Sequence, residues 1–157
     1  MVCGGNLCYG KTALVIVEKG VKINAKVYQE KILRDVLHPW VQKHFENRPW
    51  ILQQDWAPAH SAKSSIALCK ELFSTVWDRT IWYSSSPDLN PMEYSVWSIM
   101  EKRIPASKRT SLEELKHALQ KVWDEITIEE LTSITDNFIK RLKACITAKG
   151  DNYENFL

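Results

Sequence analysis

Apolar and polar positions divide the chain into short extended runs near its start and long helical stripes toward its end. MVCGGNLCYGKTALVIVEKG reads as two strands about a turn at Tyr9-Gly10-Lys11. The second, Thr12 to Val17, is rich in β-branched and apolar residues, and Gly20 closes the hairpin region. From Asn24 the period becomes helical: Leu33, Val36, Leu37, Trp40 and Val41 form an apolar stripe that Pro39 should kink or interrupt. Trp50-Ile51-Leu52 predicts a short buried strand that delivers Asp55 at its end. A helix opened by Ser61 or Ser64 follows, with Ile66, Cys69, Leu72, Phe73 and Val76 on its inner face. Thr80-Ile81-Trp82-Tyr83 predicts the next strand, and the turn-rich SSSPDLNP leads into another helix. There Asn90 is placed to N-cap, Pro91 takes the first helical position and Glu93 the third. Two last helices open on capping-box pairs, Ser111 with Glu114 and Thr127 with Glu130. Leu112, Leu115, Leu119, Val122 and Ile126 line one face of the first; Leu131, Ile134, Phe138 and Leu142 line one face of the second.

The predicted order, β-β-α-β-α-β-α-α-α, describes an α/β layer structure with antiparallel character in its opening hairpin. No repeat or low-complexity linker marks a sharp boundary, and 157 residues suit a single domain with a real core. An apolar fraction of 45% and a charged fraction of 25% are those of an ordinary globular chain. A net charge of +2 lacks the strong basic excess of dedicated nucleic-acid binders. Seven tryptophans are many for this length and belong in the core or along a groove. Cys3, Cys8, Cys69 and Cys145 form no CxxC pair and, without a signal peptide, read as reduced thiols of an intracellular protein. A zinc site built from Cys3, Cys8 and a distant histidine stays open as an alternative. No apolar run approaches the ~18 residues of a membrane span.

Two acids stand at the mouths of predicted elements. Asp55 reads either as a pre-helix acid at the positive end of the helix that follows or as half of a chemical site. Glu93 reads either as the reach-back member of a capping box or as an acid on an apolar face. The second reading follows from its spacing, since Glu93, Trp97, Met100 and Ile104 fall at i, i+4, i+7 and i+11. A carboxylate buried there would need to be paired, protonated or bound to metal.

QDWAPAH (Gln54 to His60) and SPDLNPMEYSVW (Ser86 to Trp97) resemble the two most diagnostic motifs of the catalytic domain of mariner-superfamily (Tc1/mariner-like) DDE/D transposases. GGNLCYGKTALVIVEKGVKINAKVY resembles the second and third strands of that domain, so the likeness covers most of the chain. It implies an RNase H-like core over 1–105 and a helical hairpin packed on it over 106–157. It implies DNA cleavage and joining by three carboxylates that hold two Mg2+ or Mn2+ ions, with Asp55 as the second acid and Glu93 as the third. Positions 56–92 separate them. Two hard cations clamp the attacking and leaving oxygens of a phosphoryl displacement, and such ions prefer oxygen ligands. His60 corresponds to a histidine close to the site, with polar packing and DNA contact as its two readings. Trp56 departs from the small or polar residue usual after the second acid; its indole either packs or stacks on a base. Pro58 and Pro87 read as turn-formers, and Asp88 and Asn90 hold the turn before the helix, with metal ligation by Asp88 as the alternative. Lys102 and Arg103, with Lys108 and Arg109, form a small basic cluster that reads as a solvated loop or a phosphate contact.

The family's first acid lies upstream of the glycine pair that corresponds to Gly4-Gly5, yet no Asp or Glu precedes Glu18. The resemblance therefore implies an N-terminally truncated core that lacks its first, central strand, with Met1 an internal methionine. Such a fragment is expected to bind divalent metal weakly and to be catalytically inactive. The alternative is a domesticated, non-catalytic module that binds DNA or a protein. DNA as partner, a homodimer, nuclear residence and no membrane association complete the expectations.

Overall fold

The computed structural model describes residues 1–46, 48–83, 86–151 and 153. The chain forms two compact units, Met1–Cys3 with Val15–Ser86 and Gly4–Leu14 with Pro87–Leu157. Ser84 and Ser85 of the predicted turn lie outside the described residues.

In the first unit, β1 (Val2–Cys3) runs antiparallel to β4 (Val15–Ile16), with Val2 opposite Ile16 and Cys3 opposite Val15. Asn24 caps the helix that follows, its Oδ1 accepting from the Val27 N–H at 3.0 Å. Three windings run end to end: Ala25–Val27, Tyr28–Leu37 and His38–Phe45. Contrary to expectation, Pro39 does not interrupt them. The middle stretch is wound with i→i+5 bonds, so the His38 N–H reaches back to Leu33 O. A proline ring inside an ordinary α-helix collides with the carbonyl four residues back and removes a donor. The wider winding before Pro39, together with its place in the first turn of His38–Phe45, avoids that conflict.

The predicted strand at 50–52 is reduced to one parallel bridge, Leu52 to Val76. Leu52 N donates to Thr75 O at 2.9 Å and Trp77 N to Leu52 O at 3.0 Å, while Ile51 is exposed. Val76 therefore pairs with the chain instead of extending the helix face. The Lys63–Leu72 helix ends because Phe73 turns extended (φ −129°, ψ 135°). Neither Ser61 nor Ser64 caps this helix, whose N-cap position is Ala62. Ser65, fully buried, uses its hydroxyl on Ala59 O (2.7 Å) and so ties the Pro58–Ser61 turn of helix to the next one. Thr80–Tyr83 is a turn and not a strand. Asp78 Oδ1 accepts from both the N–H and the hydroxyl of Thr80, and Asp78 O accepts from Ile81 N and Trp82 N. An aspartate that bonds two residues ahead competes successfully with strand pairing. Tyr28, Leu33, Val41, Ala59, Leu68, Cys69 and Phe73 make the core of this unit. Trp50 closes one side of it, stacked on Phe45 and edge-on to Phe73.

In the second unit, β2 (Asn6–Leu7) pairs antiparallel with β3 (Gly10–Lys11) about a turn at Cys8-Tyr9. Gly4 lies against Trp123, which is 1% exposed and donates its indole N–H to Thr12 O at 2.9 Å. Lys11 Nζ donates to Ile126 O (2.5 Å) and Asp124 O (3.2 Å), placing a cation at the negative end of the Leu112–Glu125 helix. Ser111 caps that helix through Glu114 N, but the Glu114 carboxylate turns to Thr110 and Lys108, so the expected box is half formed. Leu112 is exposed in the first turn, and the buried residues of this stretch are Val122, Trp123 and Ile126. The Ile128–Thr147 helix carries both halves of its box, Thr127 with Glu130. It buries Leu131, Ile134 and Ala144, and it packs on β2 and on the Pro87–Leu89 turn.

Candidate metal and nucleic-acid site

Asp55 stands between the Leu52 bridge and the Pro58–Ser61 helix, with its side chain about half exposed (48%). Its Oδ1 accepts from the Ala57 N–H at 3.0 Å, a local turn that aims the carboxylate. The same oxygen lies 2.5 Å from His60 Nδ1. That nitrogen is buried, and its contact with Oδ1 lies outside ideal hydrogen-bond alignment. His60 holds the Asp55 carboxyl below its usual range; burial opposes this and the Ala57 N–H assists it. His60 is fixed in turn by Tyr28, whose ring lies 4.1 Å away at a 33° tilt. The Tyr28 hydroxyl, 4% exposed as a residue, donates to Gln54 Oε1 at 2.5 Å. Burial, with help from Cys69, Asp55 and Cys3, pushes the Tyr28 hydroxyl well above the ordinary tyrosine range. Burial also raises the Cys3 thiol, against the N-terminal ammonium and with a further push from Asp55, so β1 comes within electrostatic reach of the acid.

Sequence reasoning missed Tyr28 and Cys3 as neighbours of Asp55. The available signal for Tyr28 was a large aromatic five positions before Leu33, where the apolar stripe of its helix begins. His60 packs against Tyr28 and keeps part of its side chain exposed. Trp56 is buried, its Nε1 donates to Trp82 O at 2.7 Å, and the Arg79 guanidinium sits 4.9 Å above its ring. The indole is thus engaged within the fold and is not presented for base stacking.

Glu93 lies in the second unit and is exposed, which corrects its expected place on a buried face. The cause is the winding of its turn. Met92–Val96 uses i→i+5 bonds, with Trp97 N reaching Met92 O, so the stripe of Val96, Met100 and Ile104 is buried while Glu93 rotates outward. Asn90 Oδ1 caps Met92 N at 3.2 Å, and the Glu93 side chain makes no reach-back bond among the described residues. Asp88 offers its carbonyl to Arg141 Nη1 at 3.0 Å, holding the turn.

The basic cluster is largely neutralised inside its own unit. Arg103 pairs with Glu130, Lys108 with Glu114 at 3.3 Å and Arg109 with Glu101 at 3.8 Å. Arg109 also donates to the carbonyls of Glu101 and Ile104. Lys102 is exposed on the same turn. Among the described residues, no three His, Cys, Asp or Glu side chains gather as a metal-ligand set, neither at Cys3 and Cys8 nor at Asp55. Among the described residues, no helix is long and apolar enough to cross a membrane.

No family model matches the chain. The Tcb2 transposase of Caenorhabditis briggsae is 29% identical over 144 residues, covering 91% of this chain and 50% of that protein. The Tcb1 transposase of the same organism is 26% identical over 143 residues, with the same coverage. The chain thus spans about half the length of the curated relatives it matches. Among solved structures, the catalytic domain of Mos1 mariner transposase superposes with a TM-score of 0.84 at 22% identity, covering 98% of this chain and 75% of that one. Mos1 transposase in a paired-end complex with the left transposon end gives 0.83 at 21% identity, covering 98% and 44%. The Mos1 catalytic domain with raltegravir and Mg gives 0.80 at 20% identity, covering 98% and 76%. The chain is thus similar in sequence to transposases of the Tc1 type over nine-tenths of its length and shares the RNase H-like fold of the Mos1 mariner catalytic domain.

Proposed function

We propose that this chain is a transposase catalytic-core fragment that binds DNA and takes Mg2+ or Mn2+ weakly through Asp55, without cutting DNA by itself. The observation that carries the reading is the sequence match to transposases over 91% of the chain, within which Asp55 is held half exposed at the end of its bridge. The solved relatives in complex with a transposon end and with Mg supply the partner and the ion class for this proposal. The donor chemistry fits in kind. Asp55 commits Oδ1 to Ala57 and His60, leaving a second hard oxygen. Magnesium takes one or two carboxylates and keeps its remaining positions for water and phosphate oxygens. When bound, such an ion polarises a phosphoryl oxygen. Weak binding follows from the single carboxylate oxygen that Asp55 leaves free. Nuclear residence and self-association as a homodimer accompany this reading.

The test incubates the 157-residue chain with transposon-end duplex and MgCl2 or MnCl2, reading nicks on denaturing gels and DNA binding by fluorescence anisotropy across a salt series. No nicking and weak, salt-dependent binding are expected; ion pairs already engage Arg103, Lys108 and Arg109 of the basic cluster. Robust cleavage that disappears in Asp55→Ala overturns the inactive-fragment reading, and absence of binding at low salt overturns the DNA-binding one. Binding that is indifferent to Mn2+ and survives Asp55→Ala and Glu93→Ala replaces the metal-binding reading with that of a non-catalytic module.

A further inference from the structure

Asp55, His60, Tyr28 and Gln54 close a ring of contacts. Asp55 Oδ1 meets His60 Nδ1 at 2.5 Å; the imidazole faces the Tyr28 ring at 4.1 Å; the Tyr28 hydroxyl bonds Gln54 Oε1 at 2.5 Å; and Gln54 is joined to Asp55 by a peptide bond. Tyr28 and His60 are anchored on different helices. Tyr28 begins the i→i+5 stretch of the first long helix and is 96% buried, which gives the imidazole a rigid wall. His60 lies in the Pro58–Ser61 helix, and that helix is held to the next one by the bond from Ser65 to Ala59 O. Both contacts on Asp55 fall on the same oxygen, Oδ1, while the side chain stays half exposed.

We propose that His60, braced by Tyr28, is a positioning residue that pins Asp55 Oδ1 and thereby presents Oδ2 to a divalent cation. The proposal rests on the metal-binding reading of Asp55. A carboxylate held at one oxygen from two directions loses the rotamer freedom that a cation would otherwise have to remove. Partners behind a metal ligand act in this way, and their loss weakens binding by about 10- to 100-fold. His60 touches the ligand and not the ion, so its contribution passes entirely through Asp55.

The experiment titrates 15N-labelled chain with MnCl2 and follows paramagnetic broadening of the Ala57 amide, which donates to Asp55 and reports on cation bound there. Far-UV circular dichroism and thermal melts confirm that each variant is folded at the titration temperature. Wild type is expected to broaden with a measurable apparent Kd. Asp55→Asn should abolish the local broadening; unchanged broadening in Asp55→Asn sinks the metal reading itself. Given that Asp55 passes, His60→Ala should raise the apparent Kd by about tenfold or more, with His60→Gln recovering much of the loss because its amide can donate to Oδ1. A purely structural His60 would lower Tm and leave the Kd of the folded protein alone. A folded His60→Ala with a Kd within twofold of wild type, or a His60→Gln no better than His60→Ala, overturns the positioning role.

Discussion

Gly4→Ala tests the close approach that closes the second unit. A Cβ built on Gly4 stands 2.8 Å from Trp123 Cη2, 3.1 Å from Cζ2 and 3.3 Å from Leu14 Cδ1. Carbon atoms prefer separations of about 3.5–4.0 Å, so the ring would have to retreat by roughly 0.7 Å or more. Trp123 has little room to do so: it is 1% exposed, its N–H is bonded to Thr12 O at 2.9 Å, and its ring is stacked with Trp97. Overpacking of this kind costs about 1–3 kcal/mol. Alanine also restricts the unfolded chain, which returns about 0.4–1 kcal/mol because Gly4 is not in the left-handed region. The net loss is then about 1–2 kcal/mol, or about 2–8 °C in Tm for a domain of this size. Urea unfolding followed by circular dichroism measures it. Gly5→Ala is the internal control, since its added Cβ meets Thr12 Cγ2 at 3.4 Å and Oγ1 at 3.9 Å and should change stability little. A Gly4→Ala variant within about 0.5 kcal/mol of wild type, or no worse than Gly5→Ala, would refute the packing argument.

Further expectations follow from single contacts. Thr127→Ala removes one half of the capping box on the Ile128–Thr147 helix and should cost about 1 kcal/mol in urea unfolding; no loss would mean that packing alone sets that helix start. Arg103 holds the Glu130 carboxyl below its usual range, and the Thr127 N–H adds to it. A depressed carboxylate contributes stability above its unfolded pKa of about 4.3 and loses that contribution as pH falls through the folded value. Stability should therefore decline below about pH 4.3, and less steeply in Glu130→Gln; identical acid profiles would count against the pair. Trp56→Phe deletes the donor to Trp82 O and weakens the seat of Arg79, a loss of about 1–2 kcal/mol by the same unfolding assay. A variant as stable as wild type would show that the indole N–H does not hold the 78–83 turn.

Chemistry was legible in the chain where it depended on neighbours a few residues away. The Thr127–Glu130 box closes as read, because its bonds span three residues. The same reasoning at Ser111 produced half an answer, since Glu114 found Lys108 and Thr110, two competitors that the pattern does not rank. Helical period failed at Glu93 for a definite reason: it assumes 3.6 residues per turn, and the i→i+5 winding of Met92–Val96 rotates the acid out of the stripe. Strand prediction failed at Thr80–Tyr83 because Asp78 captures the backbone first, and the partner of Leu52 turned out to be Val76, just beyond the helix end.

The sequence by itself determined the α/β class, the start of the last helix and the places of Asp55, His60 and Glu93 in their motifs. These rest on period, capping and residue identity, all local properties. Tertiary structure alone decided that Arg103 is paired with Glu130 and that Trp56 is packed. It also decided that Tyr28 braces the histidine beside Asp55. Those partners lie 26 to 32 positions apart in the chain, and charge or aromaticity in sequence does not say which distant group will satisfy them. Folding makes that choice, because a buried or half-buried polar group is stable only where packing brings a complement within reach.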